Sequence, residues 1–325
     1  MAIEPEKLER AARTIADASI VGMACHIGPD GDALGSMLGM AVAAAEAGKK
    51  VFPSFGEPFT VPETFRFLPV HVLVPPASMP AELDVFVTFD AGSADRLGEL
   101  EVLVERAGEV VVIDHHATNE GFGTHDLVDG QAAATAEIVV ELLDVLGWKL
   151  TPEVAMCLHT GLVTDTGRFQ YSNTAPATLE TAARLVAAGA SPEVIGRHVY
   201  EEAPFGYLKV AGAALSRAQL DPARRLVWTV MTQDDLDRAG IALDETDPLI
   251  DALRVARESD VALLLKHLGP NRVKGSLRSR GRVDVGAIAA ALGGGGHHNA
   301  AGFTFEGTPD AALSAVCERL DPAGD

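Results

Sequence analysis

The chain has 325 residues, 47% of them apolar, and a formal net charge of −20 at pH 7. Because proteins that follow long nucleic acid need a basic face, this charge argues against a long duplex as partner. No apolar run approaches the ~20 residues of a membrane span, and three cysteines without a Cys-x-x-Cys spacing argue against structural zinc and for a reducing cytoplasm.

Apolar runs typical of strands alternate with helical patterns through the first half of the chain. Because this alternation is typical of crossover connections, we expect a parallel sheet with helices on both faces. The Pro-rich segment 56–82 has no clear period and is predicted to be loop. The predicted strands are 20–26, 50–55, 84–90 and 109–114, and the predicted helices are 7–18, 33–47, a stretch ending near 107, 135–146 and 152–164.

The character of the sequence changes after a helical region over 175–219. We therefore expect a catalytic domain over 1–190, a helical connector over 191–215, and a smaller α/β domain over 216–325. In this last part the pattern predicts strands at 226–231, 260–267 and 272–278, helices at 248–257 and 284–292, and a glycine-rich loop at 293–296.

Acids and histidines directly follow three of the predicted strands. The carboxyl ends of parallel strands meet at one edge of a sheet, so these side chains are expected to converge. A single acid at such a place is ordinarily a helix cap or loop residue, and capping is the alternative for the Asp-Gly-Asp turn. The recurrence of acids or histidines after three strands favours a functional site over helix capping. The candidate residues are His26, Asp30, Asp32, Asp90, Asp114, His115, His116 and, near the end of a later helix, Asp165.

Four carboxylates in this set, Asp30, Asp32, Asp90 and Asp165, would repel one another and raise one another's pKa values. Two divalent ions would balance their charge. Oxygen and imidazole donors without cysteine favour Mn²⁺, with Mg²⁺, Co²⁺ or Fe²⁺ as alternatives and zinc less natural. Two such ions suit displacement at phosphorus, where they activate water and stabilise the attacking and leaving oxygens.

The order of these residues resembles motifs I to IV of the DHH phosphoesterase superfamily: His26 with Asp30-Gly31-Asp32, then Asp90, Asp114-His115-His116 and Asp165. Residues 294–302, Gly-Gly-Gly-His-His-Asn-Ala-Ala-Gly, resemble the signature of the DHH-associated C-terminal domain. Within the superfamily, the chain is similar to bacterial oligoribonuclease/3′-phosphoadenosine-5′-phosphate phosphatases. These overlap with stand-alone cyclic di-AMP phosphodiesterases.

The resemblance implies two metal sites that share one bridging carboxylate. It also implies that His116 faces the substrate phosphate, and our hypothesis is that His116 assists the leaving oxygen. Asp114 would lie behind the metal ligands, where it orients a histidine or holds the turn. The implied ligands are His26 and Asp30 for the first ion, Asp32, His115 and Asp165 for the second, and Asp90 for both.

A basic stretch over 266–282 contains six Lys or Arg residues and no acid. A solvated edge strand is one interpretation. The other is a phosphate site, since guanidinium offers paired donors and a glycine-rich backbone presents amides to an anion. The predicted substrate-binding residues are Arg278, Arg280, Gly295, Gly296 and His297, together with His116.

We therefore expect a phosphoesterase that uses two-metal activated water on short oligoribonucleotides and small adenine nucleotides (pApA, cyclic di-AMP, 3′-phosphoadenosine 5′-phosphate). Phe169 and Tyr171 are candidates for stacking on a base. The resemblance implies a homodimer, and no membrane association is expected. The alternatives are an inorganic pyrophosphatase, a single-strand-specific exonuclease of the same superfamily, and a poorly active nucleotide-binding regulator.

Overall fold

The computed structural model describes residues 3–269 and 271–320, without the side chains of Leu268 and His297. The chain divides into two units between Glu202 and Ala203. Within the described residues, no helix combines the length and the apolar character needed to cross a membrane.

The first unit is built on a parallel sheet, as predicted. Its strands are β1 (Ile20–Cys25), β2 (Lys50–Phe55), β3 (Val85–Phe89), β4 (Val110–Asp114) and β5 (His125–Val128). They pair in the order β2-β1-β3-β4-β5, and every neighbouring pair is parallel. The apolar runs located four of these strands. The sequence analysis missed β5, because a four-residue strand that begins His-Asp shows no apolar pattern.

Helices cover both faces of this sheet. The helices are α1 (Pro5–Asp17), α2 (Gly31–Glu46), α3 (Val102–Arg106), α4 (Thr135–Leu146), α5 (Pro152–Asp165), α6 (Pro176–Ala187) and α7 (Pro192–Gly196). On one face, Val85, Val87 and Phe89 pack into the large core with α1, α2, α4 and α5. On the other face, Phe86 packs against Leu97 and neighbouring apolar residues.

The helix predicted after β3 is wrong in part. Residues 94–101 form a 3₁₀ helix that Gly98 interrupts with a φ of 61°, and only α3 is α-helical. The glycine adopts a left-handed backbone conformation that other residues reach at a cost. The predicted loop over 56–82 contains only three short 3₁₀ turns.

Helices α2 and α5 approach each other closely because α2 has a glycine on every turn that faces α5. A Cβ at Gly35 would lie 2.4 Å from the carbonyl oxygen of Cys157, and a Cβ at Gly31 would lie 2.4 Å from Oγ1 of Thr164. Real Cβ atoms do not approach so closely, so glycine is required at both positions. This contact places the N-terminus of α2 beside the C-terminus of α5.

The second unit contains a mixed sheet. Its strands are β6 (Gln219–Asp221), β7 (Leu226–Thr232), β8 (Val261–Gly269), β9 (Arg272–Ser279), β10 (Gly295–His297) and β11 (Ala300–Glu306). The order is β10-β11-β9-β8-β7-β6, with β7 and β8 parallel and the other neighbours antiparallel. Its helices are α8 (Phe205–Ser216), α9 (Gln233–Ala239), α10 (Leu249–Arg254), α11 (Val285–Ala290) and α12 (Pro309–Cys317).

Candidate metal centre

The turn between β1 and α2 carries the first two candidate ligands. Oδ1 of Asp30 caps α2 by accepting the backbone N–H groups of Asp32 at 3.1 Å and Ala33 at 3.0 Å. Oδ2 of the same carboxylate points elsewhere and lies 3.9 Å from Nε2 of His26. One oxygen of Asp30 therefore caps the helix and the other faces the histidine, and metal binding at this turn stays a prediction.

The N-terminus of α4 holds Asp32, which is completely buried in the first turn of α2. Its carboxylate accepts the backbone N–H of Thr135 at 2.6 Å and that of Ala136 at 3.1 Å. It also accepts the hydroxyl of Ser36 at 3.0 Å. Helix N-termini stabilise anions through such N–H groups, so this carboxylate is fixed before any cation binds.

Asp90 occupies the centre of the cluster, directly after β3. Its backbone has a φ of 54°, a left-handed conformation that Asp adopts more readily than most residues. Its carboxylate accepts the hydroxyl of Thr135 at 3.0 Å. Oδ2 lies 3.7 Å from Nε2 of His26, and Oδ1 lies 3.5 Å from Nε2 of His115. Asp90 therefore lies between the two histidines, as a bridging ligand would.

The Asp-His-His sequence at the end of β4 separates into two roles. Nε2 of His115 lies 3.3 Å from Oδ2 of Asp165, which ends α5. Nδ1 of His116 donates to Oδ1 of Asp114 over 2.7 Å. The amide of Asn119 donates to the other oxygen of Asp114 at 2.7 Å. Asp114 thus orients His116 and does not face the other carboxylates.

Three sets of side chains could each hold a metal ion. Within each set, the donor atoms lie within 4.8 Å of one another. Oxygen and imidazole nitrogen donors, with no sulfur among them, fit a hard or borderline divalent ion. One set has the full membership that the resemblance implies for the first ion, and another has that implied for the second ion except for the shared Asp90. The sets are His26, Asp30 and Asp90; Asp32, His115 and Asp165; and Asp90, His115 and His116.

Without a cation, protons balance the charge of this cluster. Burial lowers the pKa of His26, but the hydrogen bond and charge of Asp90 raise it to about 9. Burial likewise lowers the pKa of His115, and Asp165 with the other acids raises it to about 10. Burial raises the pKa of Asp32 to about 7 and that of Asp165 well above its usual value. Binding of divalent ions to these atoms would therefore displace protons.

In the second unit, Arg278 lies on β9 on the same strand face as Ser276, as alternation predicts. Its Nε lies 3.7 Å from Oδ1 of Asp251. Because β9 ends at residue 279, Arg280 lies outside the strand and does not continue this alternation. The guanidinium of Arg280 instead donates to the carbonyl oxygen of Arg254 at 2.7 and 3.2 Å. A phosphate-binding role of either arginine stays a prediction.

The predicted glycine-rich loop is partly strand. Gly296, with a φ of 138°, pairs with Ala301, and its Cβ would lie 2.5 Å from the carbonyl oxygen of Ala300. A Cβ at Gly295 would meet no atom within 4 Å. The close approach at Gly296 is therefore to β11. The imidazole of His297 lies outside the described residues, and substrate binding by this segment stays a prediction.

The sequence analysis missed two residues that position the candidate ligands, Thr135 and Asn119. Thr135 contacts both Asp32 and Asp90, although more than 40 residues separate it from either. A signal was available, because a helix was predicted to start at 135 and helix N-termini bind carboxylates. Nothing comparable in the sequence identified Asn119.

The two aromatic residues after Asp165 occupy different surroundings. The ring of Tyr171 lies where a Cβ on Gly167 would be only 2.3 Å from it. The ring of Phe169 lies 6.1 Å from that of His159. Stacking of either ring on a base stays a prediction.

Comparison with known proteins relates both parts of the chain to described domains. Residues 20–162 match the DHH family, N-terminal domain, and residues 225–321 match the DHHA1 domain. A relative from Thermus thermophilus, named bifunctional oligoribonuclease and PAP phosphatase NrnA, is 36% identical over 316 residues. That alignment covers 93% of this chain and 90% of the relative.

Two further relatives extend the comparison. The cyclic-di-AMP phosphodiesterase GdpP of Bacillus subtilis is 30% identical over 239 residues, which cover 69% of this chain and 34% of GdpP. The crystal structure of an exopolyphosphatase-related protein from Bacteroides fragilis has a TM-score of 0.89 at 23% identity, covering 98% of this chain and 96% of that one. The structural match supports the fold.

Proposed function

The chain belongs to the DHH family, and on this basis we propose that it is a metal-dependent phosphoesterase that hydrolyses short oligoribonucleotides and 3′-phosphoadenosine 5′-phosphate. The relative with these two activities in its name aligns over 90% of its length. The observation that carries the proposal is the convergence of donor atoms from separate segments, with Nε2 of His26 and of His115 lying 3.7 and 3.5 Å from the Asp90 carboxylate.

We assign one ion to His26 and Asp30 and the other to Asp32, His115 and Asp165, with Asp90 shared. Divalent ions bound there would supply Lewis-acid catalysis for the attack of water at phosphorus. The donor set favours Mn²⁺, with Mg²⁺ or Co²⁺ as alternatives.

In this proposal His116 contacts the substrate, and Asp114 orients His116. Burial lowers the pKa of His116, but the hydrogen bond and charge of Asp114 oppose this, and the net shift is upward. Because Nδ1 of His116 is bound to Asp114, we assign Nε2 as the atom that contacts the substrate phosphate. A protonated imidazole there donates a hydrogen bond to phosphate and a proton to the leaving oxygen.

Substrate length follows from charge. We assign Arg278 to a terminal phosphate, since its guanidinium can donate two parallel hydrogen bonds. An acidic chain that grips one terminus gains little from additional nucleotides, because each brings another phosphate towards a surface of the same sign. Short oligonucleotides are therefore the proposed substrates. The similarity to GdpP supports cyclic di-AMP as a further substrate.

Replacing the aspartates at the two ends of β3 with alanine, one at a time, tests the assignment of Asp90 as the shared ligand. Asp90→Ala removes the shared carboxylate, and we expect Mn²⁺-dependent hydrolysis of 3′-phosphoadenosine 5′-phosphate to fall at least about 1,000-fold. Asp84→Ala is the matched control, because its exposed carboxylate accepts the backbone N–H groups of Ser19 and Ile20 at the opposite end of the strand. Near-normal turnover by a folded Asp90→Ala protein would refute the assignment.

A panel of substrates tests which class of phosphate compound the protein hydrolyses. The panel contains 3′-phosphoadenosine 5′-phosphate, pApA, a five-nucleotide RNA, cyclic di-AMP and pyrophosphate, each with Mn²⁺ and with chelator, and products are resolved by chromatography. We expect metal-dependent release of mononucleotide from the first three. Turnover of pyrophosphate alone would favour the pyrophosphatase alternative, and binding without any product would favour a regulator.

A further inference from the structure

A cavity of about 610 Å³ lies in the first unit between α5, α6 and the segment 192–200. This volume is within the range of about 300–1,000 Å³ typical of small-molecule sites. Apolar side chains form most of its wall, among them Val163, Phe169 and Val186. None of the candidate metal ligands lines it.

The cavity and the metal centre lie on opposite faces of α5. A Cβ at Gly161 would lie 2.5 Å from Oδ1 of Asp32, so that face of the helix is directed towards the metal centre. His159 and Val163 line the cavity instead. At 100° per residue, these two positions are roughly half a turn from Gly161. The cavity is therefore a separate place in the fold.

The wall of the cavity contains one buried polar side chain. His159 is 2% exposed, and burial lowers the pKa of its imidazole to about 4, so the ring is neutral at pH 7. Its Nδ1 is buried and has no hydrogen-bond partner among the described residues. Because this nitrogen has almost no accessible surface, a ligand in the cavity would not reach it, and His159 contributes an uncharged ring to the wall.

The rim of the cavity carries a cation. The guanidinium of Arg168 lies 4.7 Å from the ring centroid of Tyr200, and both residues line the cavity. Arg168 and Phe169 each have a φ of 62°, so two successive side-chain-bearing residues adopt the left-handed conformation. Such strain is concentrated at functional sites, and here it directs a cation and an aromatic ring to the same cavity.

The sparse polar groups restrict the ligand. The hydroxyl of Tyr200 already donates to the carbonyl oxygen of Val163, at 3.4 Å. A nucleobase would bring several polar edge atoms into a wall that is mostly apolar, and unpaired polar atoms oppose binding. We propose that the cavity binds a small, largely apolar organic anion, whose charged group pairs with Arg168 and whose apolar part packs against Val163, Phe169 and Val186.

Fluorescence titration of the full chain with 8-anilinonaphthalene-1-sulfonate tests this, because the dye combines aromatic rings and a sulfonate. We expect saturable binding of one dye per chain. Arg168→Gln removes the rim cation and Ala183→Trp narrows the cavity, and each should weaken binding about tenfold or more, equivalent to ~1.4 kcal/mol. Arg184→Gln is the matched control, because Arg184 pairs with Asp144 and does not line the cavity, so its binding should be unchanged.

A competition measurement tests the ligand class. Adenosine monophosphate at equimolar concentration should not displace the dye, because the mostly apolar wall leaves the polar edge of a base unpaired. Thermal melting verifies that each variant is folded. If Ala183→Trp lowers the melting temperature, Arg168→Gln decides alone, since Arg168 is exposed. Equal dye binding by wild type and Arg168→Gln would overturn the proposal, and so would displacement of the dye by adenosine monophosphate at equimolar concentration.

Discussion

Replacing Thr135 by valine should weaken divalent-ion binding without unfolding the protein. The hydroxyl of Thr135 donates to Oδ1 of Asp90 at 3.0 Å, and its backbone N–H donates to Asp32 at 2.6 Å. Valine preserves the shape and the backbone contact and removes only the hydroxyl. The substitution therefore tests the hold on the shared carboxylate by itself.

The expected loss of Mn²⁺ affinity follows from the burial of Thr135 and Asp90. Thr135 is completely buried and Asp90 is 2% exposed, so water cannot replace the lost bond. A hydrogen bond to a charged group contributes about 1.5–3 kcal/mol, which corresponds to roughly 10- to 100-fold in affinity. Isothermal titration of the metal-free protein with Mn²⁺ measures this loss directly, independent of turnover.

The chain offers a matched control in the strand that leads to Asp90. Thr88 is also completely buried, and its hydroxyl has no hydrogen-bond partner among the described residues. Thr88→Val should therefore leave Mn²⁺ affinity unchanged, and Thr135→Ser should restore most of what valine loses. Equal Mn²⁺ affinity of Thr135→Val and wild type would refute the reasoning.

Three further predictions concern the contact between α5 and Asp32, the role of Arg278, and the pH dependence of Mn²⁺ binding. Gly161→Ala would place a Cβ 2.5 Å from Oδ1 of Asp32, and we expect a loss of about 1–3 kcal/mol in the free energy of unfolding by urea, with weaker Mn²⁺ binding. Arg278→Gln should raise KM for 3′-phosphoadenosine 5′-phosphate about tenfold or more with a smaller change in kcat, whereas Arg272→Gln, at the exposed start of the same strand, should not. Because Asp32 and His115 have raised pKa values of about 7 and about 10, Mn²⁺ must displace protons from them, so its affinity should increase from pH 6 to pH 8. Titration in buffers of different ionisation enthalpy measures the protons released, and a pH-independent affinity would contradict that prediction.

The sequence predicted the part of the fold that local pattern determines. Apolar strands followed by acids predicted a parallel sheet with converging side chains, and the structure brings residues from His26 to Asp165 together. The family resemblance is confirmed by the matched domains. The prediction of the cluster succeeded because a parallel sheet aligns all its carboxyl ends, so strand identity alone fixes which residues meet.

The sequence analysis failed where structure depends on distant partners. Strand β10 consists of Gly-Gly-His, which has no strand pattern, and it forms because Gly296 can lie against β11. The hydroxyl of Thr135 has an ordinary place at the start of a helix. Its function follows from Asp90, more than 40 residues earlier in the chain, and helical periodicity gives no information on that pairing.

The basic stretch of the second unit shows how far the alternation of side chains along a strand can be used for prediction. Alternation correctly placed Arg278 and Ser276 on one face of β9, because both lie inside the strand. It gives no information on Arg280, which lies beyond the end of the strand and whose guanidinium donates to a backbone carbonyl of α10. Alternation is informative only as far as the strand extends, and strand ends are the least certain feature of a sequence pattern.

The glycine contact between α2 and α5 has a consequence for protein engineering. Exchange of helical glycines for alanine is a common route to thermostable variants, since it reduces the entropy of the unfolded chain. At Gly35 the added carbon would meet the backbone of Cys157 and force the two helices apart. These helices carry Asp32 and Asp165, so their spacing sets the separation of two carboxylates. Alanine at this position would therefore lower the melting temperature and displace the two carboxylates, so the general glycine-to-alanine rule should not be applied to Gly35.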